Sequence, residues 1–278
     1  MKIAFGMIVC NGDDFLDECI SQAYDIADQI VIAEGATESW MRAAGWSSPE
    51  SKDRTLEILK RWEAKDTQGK ISVVHGRWPN KTEQSNGYMR LIHDDTDYVW
   101  QLDSDELYMR DDMLKVRRWL ETEKPTYVLV KLFHFFKNFY TIGRGGEGWG
   151  WDQPAPRIQK FYKGARYNEH RPPSITNPST GSKNENIHPA SMTTSLGVYG
   201  YHYTYVTSKQ VHEKMQYYAS EFPGTPRLQS WIKNVWEAWD KDPLGVEQQH
   251  GTHPSAWRGS RTEKFYGTHP ESMRERVR

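Results

Sequence analysis

Residues 98–106 read YVWQLDSDE: an apolar run of strand length that ends in three carboxylates within four positions, Asp103, Asp105 and Glu106. Like charges at a strand terminus repel one another and are tolerated mainly where a cation compensates them. Hard oxygen donors favour Mg²⁺ or Mn²⁺, ions commonly shared with phosphate oxygens. The bland alternative is a solvated loop whose aspartates cap the helix that begins near Asp111. Which of the two applies depends on where the triplet lies in the fold.

Upstream, the chain alternates between two periodicities. KIAFGMIVC (2–10) is a continuous apolar run, and DDFLDECISQAYDIA (13–27) then repeats apolar residues at helical spacing behind capping aspartates. The pattern recurs with QIVIAEG (29–35) and SKDRTLEILKRWEAKD (51–66), with KISVVHG (70–76) and TEQSNGYMRLIHDD (82–95), and closes on DYVWQLDSDE (97–106). Alternating strands and helices predict an α/β fold, a Rossmann-like and mostly parallel sheet with helices on both faces. In such sheets ligands bind outside the carboxyl ends of the strands. Polar residues stand at those ends: Asn11, then Glu34 and Gly35, then Asp103 to Glu106.

Beyond Glu106 the rhythm changes. DDMLKVRRWLETE (111–123) predicts one more helix and TYVLVKLFHFF (126–136) one long strand, before a Gly-, Pro- and aromatic-rich stretch from Phe139 to Pro189 that embeds RIQKFYKGARY (157–167) as a strand. SLGVYGYHYTYV (195–206) reads as a strand, KQVHEKMQYYASEF (209–222) and RLQSWIKNVWEAW (227–239) as helices, and the remainder as a polar tail. This divides the chain into residues 1–106, 107–205 of the same domain, and a C-terminal helical appendage over 206–278.

The totals narrow the function. Among 278 residues, 36 basic side chains nearly balance 37 acidic ones and no Lys/Arg-rich segment stands out, so nucleic acid is not an expected partner. No apolar run approaches the roughly 20 residues of a membrane span. Two cysteines, Cys10 and Cys19, make no disulfide framework, and a reducing, cytoplasmic setting is expected. Aromatic residues make up 13% of the chain, with 12 Trp, enough for some rings to line a ligand surface.

Three features in order, IVCNGDD, IVIAEGAT and LDSDE, resemble the nucleotide-binding half of GT-A-fold glycosyltransferases of the family-2 type. The resemblance implies a metal-dependent transfer of a sugar from a nucleoside-diphosphate sugar to a glycan or other hydroxyl acceptor, with inversion. It places Asn11 and Glu34 at the nucleotide, Asp103 near the ribose or the metal, and Asp105 on a Mn²⁺ or Mg²⁺ that bridges the diphosphate. EGAT departs from the family's Asp-Gly-Ser/Thr pattern. A further metal ligand, a histidine near the end of the catalytic domain, corresponds to His202 in VYGYHYTYV, which reads equally as a core histidine.

An inverting transfer needs a base for the acceptor hydroxyl. The family's acidic pair downstream of D-x-D does not occur, and three acidic residues of the aromatic stretch are candidates: Asp152, beside Trp149 and Trp151, then Glu147 and Glu169. Arg157 in APRIQKFY is the favoured phosphate contact. GRGGEG matches G-x-G-x-x-G at Gly143, Gly145 and Gly148, but no helix can follow it, so it reads as a flexible loop able to close over the donor. Two other classes compete. A D-x-D phosphatase would carry its motif near the N-terminus, and a non-catalytic glycan-binding protein would explain the tryptophans but not the carboxylates.

Overall fold

Strands and helices follow one another as the periodicity requires in the computed structural model, which describes residues 1–148, 150–222 and 224–277. The strands are β1 Ile3–Val9, β2 Gln29–Glu34, β3 Ile71–His75, β4 Tyr98–Asp103, β5 Glu106–Leu107, β6 Tyr127–Val130 and β7 Leu132–Phe136. They continue with β8 Thr141–Arg144, β9 Ala155–Lys160, β10 Tyr167–His170, β11 Pro173–Ile175, β12 Pro189–Ser191, β13 Gly200–Tyr205 and β14 Arg261–Lys264. The first seven helices are α1 Leu16–Tyr24, α2 Glu38–Ala44, α3 Thr55–Lys65, α4 Lys81–Met89, α5 Arg110–Glu123, α6 Met192–Leu196 and α7 Ser208–Glu221.

Seven strands form the central sheet in the order β12–β6–β9–β4–β1–β2–β3. All neighbours are parallel except β9, which runs antiparallel to both β4 and β6. Side chains alternate across the inner strands. Phe5, Met7, Ile30, Ile32, Trp100 and Leu102 enter one core cluster, and Ala4, Val31, Ala33 and Val99 enter the other. Phe5 and Trp100 are register partners with rings 5.1 Å apart, and burying side chains of this size contributes about 1.5–3 kcal/mol each. Burial on both faces is why these strands read as unbroken apolar runs.

A second sheet, β14–β8–β7–β13–β5, stands where the first ends. The long strand expected over residues 126–136 is two strands: β6 lies in the central sheet and β7 in the second, with Lys131 between them donating its backbone N–H to Thr193. Lys131 interrupts the apolar run where the chain changes sheet, and the change itself follows from non-local partners, β9 for one strand and β13 for the other. The expected polar tail is also packed. Strand β14 pairs with β8, and Phe265 and Met273 are buried in the aromatic cluster of the second sheet. No helix among the described residues is long and apolar enough to cross a membrane.

Two capped helices complete the frame around the strand ends. Asn80 accepts from Glu83 N at 3.0 Å and fixes the start of α4, and Thr207 accepts from Gln210 N at 3.2 Å and fixes the start of α7. Helix α4 lies on β1 where Gly6 leaves room for the buried Tyr88 ring; a Cβ at Gly6 would stand 2.4 Å from Tyr88 Cε2. Gly6→Ala should therefore destabilise the fold by about 1–3 kcal/mol through overpacking. Urea unfolding followed by circular dichroism checks this, and an unchanged midpoint would contradict the packing.

Candidate active site

Strand β4 ends at Asp103, a tight turn carries Ser104 and Asp105, and β5 begins at Glu106. Strand β5 pairs with β13 and β13 with β7, so Glu106, His202 and His134 stand side by side across the second sheet. This juxtaposition delivers the neutralising groups. His202 Nε2 lies 3.1 Å from Asp105 Oδ1, and its Nδ1 lies 3.1 Å from His134 Nδ1. With Nε2–H donating to the carboxylate, the Nδ1 lone pair is left to accept from His134. Gln210 Nε2 donates to Asp105 Oδ2 at 2.8 Å, and Lys214 Nζ is 3.8 Å from the same oxygen. Burial pushes the Asp105 carboxyl up, but His202 and Lys214 outweigh it and hold it below its ordinary value.

Arg157, from β9, fills the other side. Its Nε donates to both Glu106 oxygens at 3.0 and 2.7 Å and its Nη2 to Asp103 Oδ2 at 3.3 Å. Glu106 is fully buried, and burial raises its carboxyl in spite of Arg157. Asp103 keeps 29% of its side chain exposed. Burial would raise its carboxyl too, yet Arg157 and then His202 hold it well below the carboxylate range. Asp103, Glu106 and His202 each offer a ligand atom within 4.8 Å of the others.

Two cavities meet at Asp103. The smaller runs along the ends of β1 and β2, past Asn11, Gly35 and Trp40 to Asp105. The larger, about 790 Å³, lies against the second sheet and Trp151, within the size range of small-molecule sites. Asp103, His170, Arg171, Lys214 and Tyr218 line both. Among the described residues neither Lys81 nor Arg171 pairs with a carboxylate. Their charges face aromatic rings instead, Lys81 Nζ 4.3 Å from the centre of Tyr217 and the Arg171 guanidinium 5.7 Å from that of Tyr218. Arg171 Nη2 also donates to the Tyr218 hydroxyl at 3.3 Å. Burial opposes ionisation of that phenol, but Arg171, Lys214 and Lys81 bring it down to about 7. A wall with this much uncompensated positive charge suits an anion.

The expected site residues are distributed unevenly. Asn11, Asp103 and Asp105 line the smaller cavity, and Asp103, Arg157 and His202 line the larger. Glu34 is fully buried behind the smaller cavity: Oε1 accepts from Ser51 N and Oγ, both at 2.8 Å, and Oε2 lies 3.0 Å from His75 Nδ1. Ser51 Oγ in turn receives the Asn11 N–H at 2.9 Å. Among the described residues, Asp152, Glu147 and Glu169 line neither cavity. Asp152 accepts from Gly145 N at 2.7 Å, while Glu147 and Glu169 are exposed. Trp151 is a cavity wall, its Nε1 donating to Thr252 at 3.0 Å; Trp149 lies outside the described residues. The glycine loop, expected to be flexible, is tied down by Trp151 N to Gly145 O at 2.8 Å and Glu147 N to Arg258 O at 3.1 Å.

Sequence reasoning missed Lys81, His134, Arg171, Gln210, Lys214 and Tyr218. A signal existed for part of the set. Gln210, Lys214 and Tyr218, with Glu213 and Tyr217, recur at i, i+3 and i+4 on α7, and the polar face they form turns inward to the cleft. Lys81 and Arg171 carry no such pattern.

Residues 50–181 match the model of the family described as glycosyl transferase family 2. Among solved structures, the chain is similar to Staphylococcus aureus TarS 1–349, at 11% identity and TM-score 0.47, over 89% of this chain and 80% of that one. It is similar to the same protein in complex with UDP-GlcNAc at 10% identity and TM-score 0.44, over 90% and 76%. A 4-diphosphocytidyl-2C-methyl-D-erythritol synthase from Anaerococcus prevotii DSM 20548 gives 13% identity and TM-score 0.35, over 57% and 70%. Among curated proteins none matches the sequence. The family-2 match over residues 50–181 and the sheet described above together support a glycosyltransferase with a GT-A-like fold.

Proposed function

We propose that the paired cavities take a nucleoside-diphosphate sugar on the side of β1 and α2 and an acceptor hydroxyl on the side of the second sheet, and that the sugar passes between them with inversion. The observation that carries this is the wall at Asp103: Arg171 and Lys214 line both cavities and Lys81 lines the smaller, and among the described residues neither Lys81 nor Arg171 has a carboxylate partner. A diphosphate there would receive charge-assisted bonds from all three. Trp40 and Tyr217, with rings 6.2 Å apart, offer faces for the base, and Asn11 is held at the same end by Ser51 and thus by Glu34.

The donor set fits a divalent cation. Asp103 and Asp105 supply hard oxygen donors at the junction of the cavities, and His202 supplies an imidazole donor once an ion displaces the proton its Nε2 gives to Asp105; the Glu106 oxygens, grouped with Asp103 and His202, already receive Arg157. These three residues would hold Mn²⁺ or Mg²⁺, which would supply charge neutralisation to the departing diphosphate. The protein does the rest. Lys81, Arg171 and Lys214 bind the phosphates, Arg157 keeps Asp103 ionised and oriented, and Trp151 walls the acceptor side.

A thermal-shift screen of UDP-, GDP- and CDP-linked hexoses, with and without Mn²⁺, tests the whole reading, because a specific donor raises the melting temperature by mass action. No shift with any of them would overturn it. Arg171→Gln should weaken the selected nucleoside diphosphate about 10- to 100-fold, the range for a bond to a charged group, and leave the parent nucleoside nearly unaffected. Calorimetry with both ligands checks this, and an equal loss for both would remove Arg171 from the phosphates. Asp105→Asn should abolish the Mn²⁺-dependent part of donor affinity and, because it leaves His202 and Lys214 without their buried carboxylate, also lower the unfolding midpoint in urea. Retention of that part would take Asp105 out of the metal set.

A further inference from the structure

Inversion requires a group on the acceptor side that takes the hydroxyl proton, and the lining of the larger cavity limits the choice. Its carboxylate, Asp103, is bonded to Arg157 and held strongly ionised, which makes it a weak base. Four histidines line that cavity among the described residues: His134, His170, His202 and His253. His134 and His202 are bonded to each other, and His202 also to Asp105. His253 Nδ1 accepts from Ala256 N at 2.8 Å. His170 differs. Its Nδ1 is buried with no partner, no described residue bonds its other ring nitrogen, and it lines both cavities beside Arg171. A buried ring nitrogen without a partner is costly to maintain in a folded protein unless something else supplies the bond.

We propose that His170 is the catalytic base of the transfer, its imidazole receiving the proton of the acceptor hydroxyl as that oxygen attacks the anomeric carbon. The inference rests on the inverting reading above. The balance is simple: the acceptor O–H proton goes to the ring nitrogen, the oxygen forms the bond to the anomeric carbon, and the bond to the diphosphate breaks with its electron pair leaving on the phosphate. The charged neighbours suit this sequence. Burial, then Lys81 and Arg171, with Arg157 adding and Asp103 opposing, lower the imidazole to about 3 in the unliganded protein, so the ring is neutral and able to accept. A diphosphate on Lys81 and Arg171 offsets the two cations that lower it most, so the ring becomes more basic once the donor is bound.

The test uses the full chain and the donor that gives the largest shift among the UDP-, GDP- and CDP-hexoses, with water as acceptor. His170→Gln keeps a hydrogen-bonding side chain that cannot take the proton. Release of nucleoside diphosphate should fall about 10²- to 10⁴-fold, with donor affinity by calorimetry within about threefold, a change too small to signal a lost contact. His170→Ala should recover part of its rate on addition of imidazole, which a merely structural role would not produce. Near-parental release by His170→Gln, or a loss of donor affinity as large as the loss of rate, overturns the assignment. Asp152→Asn, Glu147→Gln, Glu169→Gln and Tyr218→Phe are run beside it, and a collapse confined to one of these moves the base there. If the parent binds no sugar nucleotide the functional reading itself fails, and if proton NMR shows the released sugar with retained configuration the inverting mechanism fails with it.

Discussion

Three carboxylates at the end of one strand are the constraint around which the other elements are arranged. Left uncompensated, Asp103, Asp105 and Glu106 would repel one another in a partly buried turn, where solvent screens poorly. Each has its own compensation: Glu106 has Arg157 from β9, Asp103 shares that guanidinium, and Asp105 has His202 from β13 with Gln210 and Lys214 from α7. Removing any one element would leave charge without a partner. The second sheet and α7 are thus bound to the central sheet by electrostatics as well as by packing.

That arrangement also explains the two cavities. Because β5 continues from the acidic turn into the second sheet, the end of the central sheet opens toward two walls. One carries α2 and α7, and the other carries β7, β13 and Trp151. Asp103 faces both. The cations that line the junction are of two kinds. Arg157 and Lys214 lie against carboxylates, and Lys81 and Arg171 lie against rings. The second kind carries positive charge that no described carboxylate offsets.

The aromatic excess divides the same way. Trp100 packs under the central sheet against Phe5 and Tyr108, and Trp231 packs beneath the C-terminal helices. Trp40 and Trp151 are buried as well but also border the cavities, each in edge-on contact with a tyrosine, Tyr217 or Tyr205. Which buried rings also border a cavity is set by their position relative to the strand ends.

The alternation of strands and helices through Glu106, the mostly parallel sheet, and the acidic triplet at the end of the fourth strand are all legible in the amino-acid sequence. All three are local, since periodicity and burial on both faces are written into consecutive residues. Lys131 marks the break of residues 126–136 into two strands without fixing it, and the pairing of the C-terminal stretch with β8 has no local mark, because both depend on which distant strand each segment meets. The surroundings of the carboxylates were likewise decided in three dimensions. The partners of Asp105 lie 97 and 105 residues away and the partner of Glu106 lies 51 away. Only the register of β13 against β5, and the capped start of α7, bring His202, Gln210 and Lys214 to one turn, because side-chain spacing fixes a face of an element and tertiary packing fixes what that face meets.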